Sequence, residues 1–226
     1  MTEFFLELLS EDIPPKLQVH ARENIKISLE KHLVDSGIKF NSSKSFSTPK
    51  RLVFFLDGLP EKLEQKEKVL KGPKIDAPKT ALEGFVKSNN LNASDIFEKE
   101  IEKGRFYFAK TKLKTINVVE EFEYIVPLVL KNYSWKKAMK WSTYDLSWAR
   151  PLKSILALFN NKVINFSFFH LRSNNITFLD ENFLEKPKKI YNFKSYLSFL
   201  NSQKIVLDQN KRKSIIVSRI KKICVS

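Results

Sequence analysis

The sequence predicts an α+β fold: a mixed or antiparallel sheet with amphipathic helices packed on it, followed by a helical C-terminal segment. Three observations lead there. Residues 3–9, 52–56 and 154–159 are short apolar runs of strand length. Leu17, Ala21, Ile25, Leu29 and Leu33 recur at helical spacing between the first two runs. Asn160-Asn161, a pair that tolerates positive φ, joins residues 154–159 to 163–169 as a two-residue type I′ hairpin.

Each element follows from local chemistry. Residues 3–9 carry apolar side chains with little turn chemistry, and Ser10-Glu11-Asp12-Ile13-Pro14-Pro15 interrupts them. Pro15 suits the first turn of the next helix, the carboxylates ahead of it suit a helix N-terminus, and Gly37 supplies the stop. His20 and His32 lie on that helix, too far apart in sequence to form a metal-ligand pair. Residues 46–57 end in a buried strand whose entrance is marked by Lys50 and Arg51. Residues 61–72 alternate charge too heavily for core and lead into Lys71-Gly72-Pro73-Lys74, read as a basic turn able to grip a phosphate.

Residues 78–89 form a short helix with Ala81, Leu82, Phe85 and Val86 on one side and Gly84 permitting close packing. Residues 96–101 and 106–113 flank Glu102-Lys103-Gly104-Arg105 as a second hairpin. A longer helix starts at Asn117 and carries Val118, Phe122, Ile125, Val129 and Tyr133, with Pro127 expected to kink or split it. Lys131, Lys136, Lys137 and Lys140 collect at its end, where cations answer the negative helix terminus. Pro151 pushes Arg150 toward an extended conformation, presenting it at a strand entrance among aromatics and in reach of Trp148. Residues 183–187 read as a connection, and 191–200 and 208–223 as helices. The expected division is residues 1–172 as an α+β module, with 173–226 as a basic, mostly helical segment that begins further structure.

Composition bounds function. The 226 residues are 42% hydrophobic, enough for one large domain or one domain and part of another. No apolar run approaches the roughly 20 residues needed to span a bilayer. The first residues are acidic and lack a basic leader, unlike a secretory signal. A single cysteine, Cys224, excludes an internal disulfide and a cysteine-based zinc site. A cytoplasmic location follows by elimination. The net charge of +15 is uneven: 0 over residues 1–60, +4 over 61–115, +2 over 116–160 and +9 over 161–226. Such a surface attracts polyanions, nucleic acid above all. Coding bias offers a second origin for it, because Lys outnumbers Arg 33 to 7 beside 16 Asn and 19 Phe. Catalytic signatures are missing: the chain has no Gly-rich phosphate loop, His-x-x-x-His pair, nucleophile elbow or His-Asp dipeptide.

Six motifs in collinear order resemble the N-terminal part of the bacterial glycine–tRNA ligase (glycyl-tRNA synthetase) β subunit. Leu6-Glu7 through Ser10-Glu11-Asp12-Ile13-Pro14-Pro15-Lys16 looks like the family's opening before a double proline. Thr48-Pro49-Lys50-Arg51-Leu52 is similar to its Thr-Pro-Arg-Arg-Leu. Lys71-Gly72-Pro73 and Ala81 with Gly84-Phe85 follow. Lys136-Lys137-Ala138-Met139-Lys140-Trp141 resembles its Lys-x-Met-Arg-Trp, and Arg150-Pro151 with Ile155-Leu156-Ala157-Leu158 its Arg-Pro entry to an apolar strand. Where the family reads approximately Thr-x-Gly-His-Arg-Phe, Thr177 is followed by residues lacking that Gly, His and Arg, and Glu181-Asn182 reverses the local charge.

The resemblance implies a subunit of an α2β2 ligase that charges tRNA(Gly) with glycine. ATP and magnesium would be used at the α-subunit site, with no catalytic residue, cofactor or metal expected in this chain. Implied partners are the α subunit, tRNA(Gly) and a second β subunit, with no membrane. Family β subunits are longer and carry an HD-type domain and an anticodon-binding domain, so anticodon recognition does not carry over. The RNA-facing candidates are Lys50, Arg51, Lys71, Lys74, Lys136, Lys137, Lys140 and Arg150. For each, capping a strand end, answering a helix dipole or plain solvation competes with phosphate contact. The alternative to a ligase subunit is a free-standing or degenerate RNA-binding module.

Overall fold

The computed structural model describes residues 2–65, 69–89, 91–101, 104–110, 114–179 and 186–225. It is α+β, as the sequence predicts, and falls into two compact units: Met1–Glu61 with Asn117–Ser226, and Lys62–Ile116. The chain therefore divides otherwise than at residue 172, since residues beyond that point belong to the first unit's core.

In the first unit β1 (Thr2–Ser10) is followed by α1 (Pro15–Asp35) and the hairpin β2 (Ser42–Thr48) and β3 (Arg51–Leu59). In the second unit come β4 (Lys62–Gln65), β5 (Val69–Lys74), α2 (Lys79–Ser88), β6 (Ile96–Ile101), β7 (Gly104–Lys110) and β8 (Lys114–Asn117). The chain then resumes the first unit with α3 (Val118–Asn132), β9 (Leu152–Phe159), β10 (Lys162–Val163), β11 (Ser167–Phe168) and β12 (Leu171–Asn174). It ends with β13 (Ile176–Thr177), β14 (Lys188–Lys189), α4 (Phe193–Ser202) and α5 (Gln209–Val225).

The first unit is built on a sheet in the order β11-β12-β9-β1-β3-β2, with β10 also paired to β9. Strands β2, β3, β1 and β9 run antiparallel, and β12 joins β9 in parallel, so the sheet is mixed. Strand β1 is central and covered on both faces, which is why its residues are apolar nearly throughout instead of alternating. Phe4 stacks on Phe122 of α3 with centroids 4.1 Å apart, on the face shared with α1. Phe5 points the other way, into a cluster with Val53, Leu156, Phe193, Tyr196 and Leu200. Helix α4 closes that second face.

Local signals account for most boundaries. Asn160 and Asn161 have φ of 46° and 65°, the pair of left-handed residues that a type I′ turn requires, and β10 folds back on β9. The Asn117 side chain caps α3 by accepting from the Val119 amide at 3.2 Å. Pro127 lies within α3, which runs unbroken from Val118 to Asn132 and is not split. Tyr133 is its C-cap, so Lys136, Lys137 and Lys140 lie beyond the helix and do not answer its dipole.

The second unit is a small antiparallel sheet in the order β5-β7-β6, with α2 against β5, and a β4–β8 ribbon. The segment Lys71-Gly72-Pro73-Lys74 is not a turn. It lies inside β5, where the register with β7 shifts between Lys71 and Lys74. Close packing falls on Gly72 rather than Gly84: a Cβ at Gly72 would sit 2.9 Å from the Phe85 ring, while one at Gly84 would meet nothing within 4 Å. Among the described residues no helix is long and apolar enough to cross a membrane.

Candidate nucleic-acid interface

Three segments far apart in sequence meet at one end of the central sheet. The Ser10 amide donates to the Lys50 carbonyl at 2.8 Å, the Ile13 amide to Pro49 at 2.7 Å, and the Glu11 amide to Pro151 at 3.1 Å. The segment ahead of the double proline, the β2–β3 turn and the Arg150-Pro151 entry are thus stitched together by main-chain bonds, and Lys153 adds an ion pair to Glu11 at 3.1 Å. Lys50 is half-buried on that turn and Arg150 is exposed beside Pro151.

Arg51 goes inward. Its side chain is 3% exposed, and its Nε donates to Glu7 Oε2 at 3.1 Å. Its Nη2 donates to the Phe178 carbonyl and, at 3.2 Å, to that of Leu179. Glu7 is opposite Val53 in the β1–β3 register and Arg51 opposite Leu9, so the two side chains are diagonal neighbours on one face. Glu7 also accepts from Thr177 Oγ1 at 2.6 Å and from the Tyr196 hydroxyl. Burial, and then the Glu7 charge, hold the Tyr196 phenol well above its ordinary value. The buried cation is matched by a carboxylate, and that carboxylate by two hydroxyls, as a low-dielectric interior demands. Arg51 is therefore committed to joining β1, β3, β13 and α4, and the expectation of a phosphate contact from it gives way to this interior role.

Lys71 and Lys74 belong to the second unit. Both are exposed and lie over the Phe106 ring, with Nζ 3.7 Å and 5.8 Å from its centroid.

Lys136, Lys137 and Lys140 are exposed on an irregular loop between α3 and β9. Reciprocal main-chain bonds between Met139 and Trp148, 2.8 and 3.1 Å long, pin this loop to itself. Its aromatic anchors are buried: Trp148 meets Trp135 edge-on at 5.0 Å and Phe168 at 5.7 Å. Arg150 does not stack on Trp148, whose surroundings are these aromatics; it stays exposed. Lys136 Nζ lies 3.3 Å from His20 Nε2 on α1, and Lys140 pairs with Asp145 at 2.5 Å, lowering that carboxyl's pKa by hydrogen bond and charge. Three further rings complete the surface. Tyr144 stacks on His170 with centroids 3.6 Å apart and planes 10° from parallel, and Trp141 meets His170 edge-on at 6.2 Å.

Sequence reasoning missed Glu7 as a buried charge, and Thr177, Tyr196 and His170 as its partners or as surface aromatics. It also singled out no residue of a hollow of about 610 Å³ along α4, lined by Lys188, Lys189 and Lys194 together with Ile190, Tyr191 and Phe199. Glu181-Asn182 and the center of the β6–β7 turn lie outside the described residues. Among the described residues no group of three or more His, Cys, Asp or Glu side chains is placed to hold a metal ion.

The glycyl-tRNA synthetase beta subunit family matches residues 4–226 of this chain. The chain is 34% identical over 216 residues to the glycine–tRNA ligase beta subunit of Rickettsia typhi, covering 96% of this chain and 32% of that protein. It is also 34% identical to that of Rickettsia felis over 218 residues, and 32% identical to that of Rickettsia bellii over 216. In both pairs 96% of this chain and 33% of the relative are covered. The chain spans about a third of the length of the curated relatives it matches.

Proposed function

This chain belongs to the glycyl-tRNA synthetase β-subunit family, and on that premise we propose that it is the N-terminal part of the β subunit of an α2β2 glycine–tRNA ligase. In this role it supports tRNA(Gly) binding and assembles with the catalytic α subunit for charging tRNA with glycine. ATP and magnesium act at the α-subunit site, and this chain supplies binding surface.

The observation that carries this reading is the pinned loop with Lys136, Lys137 and Lys140 exposed on it, together with Arg150 at its end. Its buried tryptophans fix the backbone, so the ammonium groups stand on a held surface and can neutralise successive phosphates. Lys50 reaches the same end of the sheet through the main-chain bonds of residues 10–13.

Co-expression with the glycine–tRNA ligase α subunit tests it. Co-purification is expected, with tRNA(Gly) charging by complexes that also contain the remaining β-subunit regions. Failure to co-purify, or glycylation of tRNA by this chain alone, contradicts the assignment.

A further inference from the structure

We propose that Trp141, Tyr144 and His170 form a stacking platform for one unpaired nucleotide of an RNA strand, whose adjoining phosphates Lys136, Lys137 and Lys140 neutralise. The proposal deepens the RNA-facing reading above and rests on it.

Other ring pairs in the first unit lie in the interior, as where Phe4 stacks on Phe122 and Phe5 tilts against Tyr196. The Tyr144–His170 stack is at the surface, with Tyr144 40% exposed, His170 exposed and Trp141 half-buried. Burial gives it little of what holds the interior stacks in place. The backbone around it is nevertheless held in an unfavourable form. Ser142 has φ of 54° and Phe169 of 52°, left-handed conformations that non-glycine and above all bulky residues rarely adopt. These two residues flank Trp141, Tyr144 and His170 in sequence, so the strain sits where the rings are presented.

The chemistry selects the occupant. Flat π-faces accept any base, while an exposed cationic loop favours a phosphodiester chain. Asp145, on the same loop, pairs with Lys140 only at the open surface, with side chains 86% and 62% exposed, so a phosphate can take its place on that ammonium. Partial desolvation against its neighbours lowers the His170 pKa, which favours the uncharged ring as a stacking partner. A duplex hides its base faces, whereas a loop or overhang offers them, so the platform reads unpaired nucleotides.

Fluorescence anisotropy on the full chain tests this with a blunt RNA duplex and the same duplex carrying an unpaired overhang. Tyr144→Ala and Trp141→Ala are expected to bind the overhang probe roughly ten-fold more weakly, with blunt-duplex affinity and salt dependence unchanged. Tyr144→Phe keeps the ring and is expected to match the unaltered chain. Tryptophan emission should be quenched by the overhang probe and not by the blunt one, and that quenching should vanish in Trp141→Ala, which keeps Trp135 and Trp148. Equal binding by the alanine variants, equal damage in Tyr144→Phe, or equal losses on both probes overturns the platform. So does loss of α-subunit capture in Tyr144→Ala with RNA binding intact, which would make this a protein-docking surface. If the platform variants bind normally while the Lys136, Lys137 and Lys140 alanine variant does not, the platform fails and the RNA-facing reading stands. If the unaltered chain binds neither probe nor tRNA(Gly), both fall.

Discussion

Replacing Arg51 by Met removes the one cation that, among the described residues, pairs with Glu7. Glu7 would keep the Thr177 and Tyr196 hydroxyls but lose its charged partner, and the Phe178 and Leu179 carbonyls would lose their donor. With both side chains of the pair no more than 3% exposed, water cannot take the guanidinium's place. Breaking a buried pair from one side costs about 3–5 kcal/mol, a large part of the stability of an ordinary domain. Arg105 and Glu98 supply an internal control, because their side chains are 63% and 49% exposed and such pairs contribute about 0–1 kcal/mol. The assay is equilibrium denaturation in urea, comparing Arg51→Met with Arg105→Met at unchanged dependence on denaturant. A double variant, Glu7→Leu with Arg51→Met, removes both charges and should cost less than the two single changes added together. If Arg51→Met were no worse than Arg105→Met, or the double variant were additive, the reading of this network as a coupled interior unit would be refuted.

Other consequences follow from single positions. Tyr196 keeps its proton in the folded state above its ordinary value of 10.0, whereas the unfolded chain loses it there. Stability from this group is therefore full below pH 10 and declines as pH rises beyond it; Tyr196→Phe should flatten that alkaline decline in a pH series of thermal melts, and an unchanged profile would contradict it. Asn161→Ala should destabilise the first unit by about 1 kcal/mol, since alanine tolerates the left-handed backbone poorly, while Asn161→Gly should not; denaturant midpoints separate the two. Gly72→Ala should cost about 1–3 kcal/mol, because its Cβ would crowd the Phe85 ring and the Tyr107 carbonyl, and hydrogen exchange should report the loss in the second unit.

What could be read from sequence was local. The Asn160-Asn161 hairpin, the α1 stripe and the apolar runs of β1, β3 and β9 are set by neighbours a few residues away, and the structure has them in place. Glu7 was harder, because its partners lie 44, 170 and 189 residues along the chain and no short-range pattern joins them. The second unit interrupts the first between β3 and α3; the charge-rich start at residues 61–72 and the +4 over 61–115 marked a change there, but its strands resemble any others, so nothing showed that the chain returns to the first sheet afterwards. Lysines 136, 137 and 140 read as a helix end because Tyr133 continues the apolar rhythm of Phe122, Ile125 and Val129; the helix in fact stops at Asn132, and Trp135 just beyond it turns into the core with Trp148. Tyr144 and His170 meet only after β9 and the strands following it fold back, which no spacing announces.

The proposed role depends above all on whether the pinned loop contacts RNA phosphates. Measuring tRNA(Gly) affinity across salt for the unaltered chain and for the combined Lys136→Ala, Lys137→Ala and Lys140→Ala variant asks this directly. Each lost phosphate contact reduces the log–log salt slope by about 0.7–0.9, so a fall of roughly 2 with weaker binding throughout is expected. An identical slope and affinity in the two proteins would mean that these lysines only meet water, and the RNA-facing assignment of the loop would be wrong.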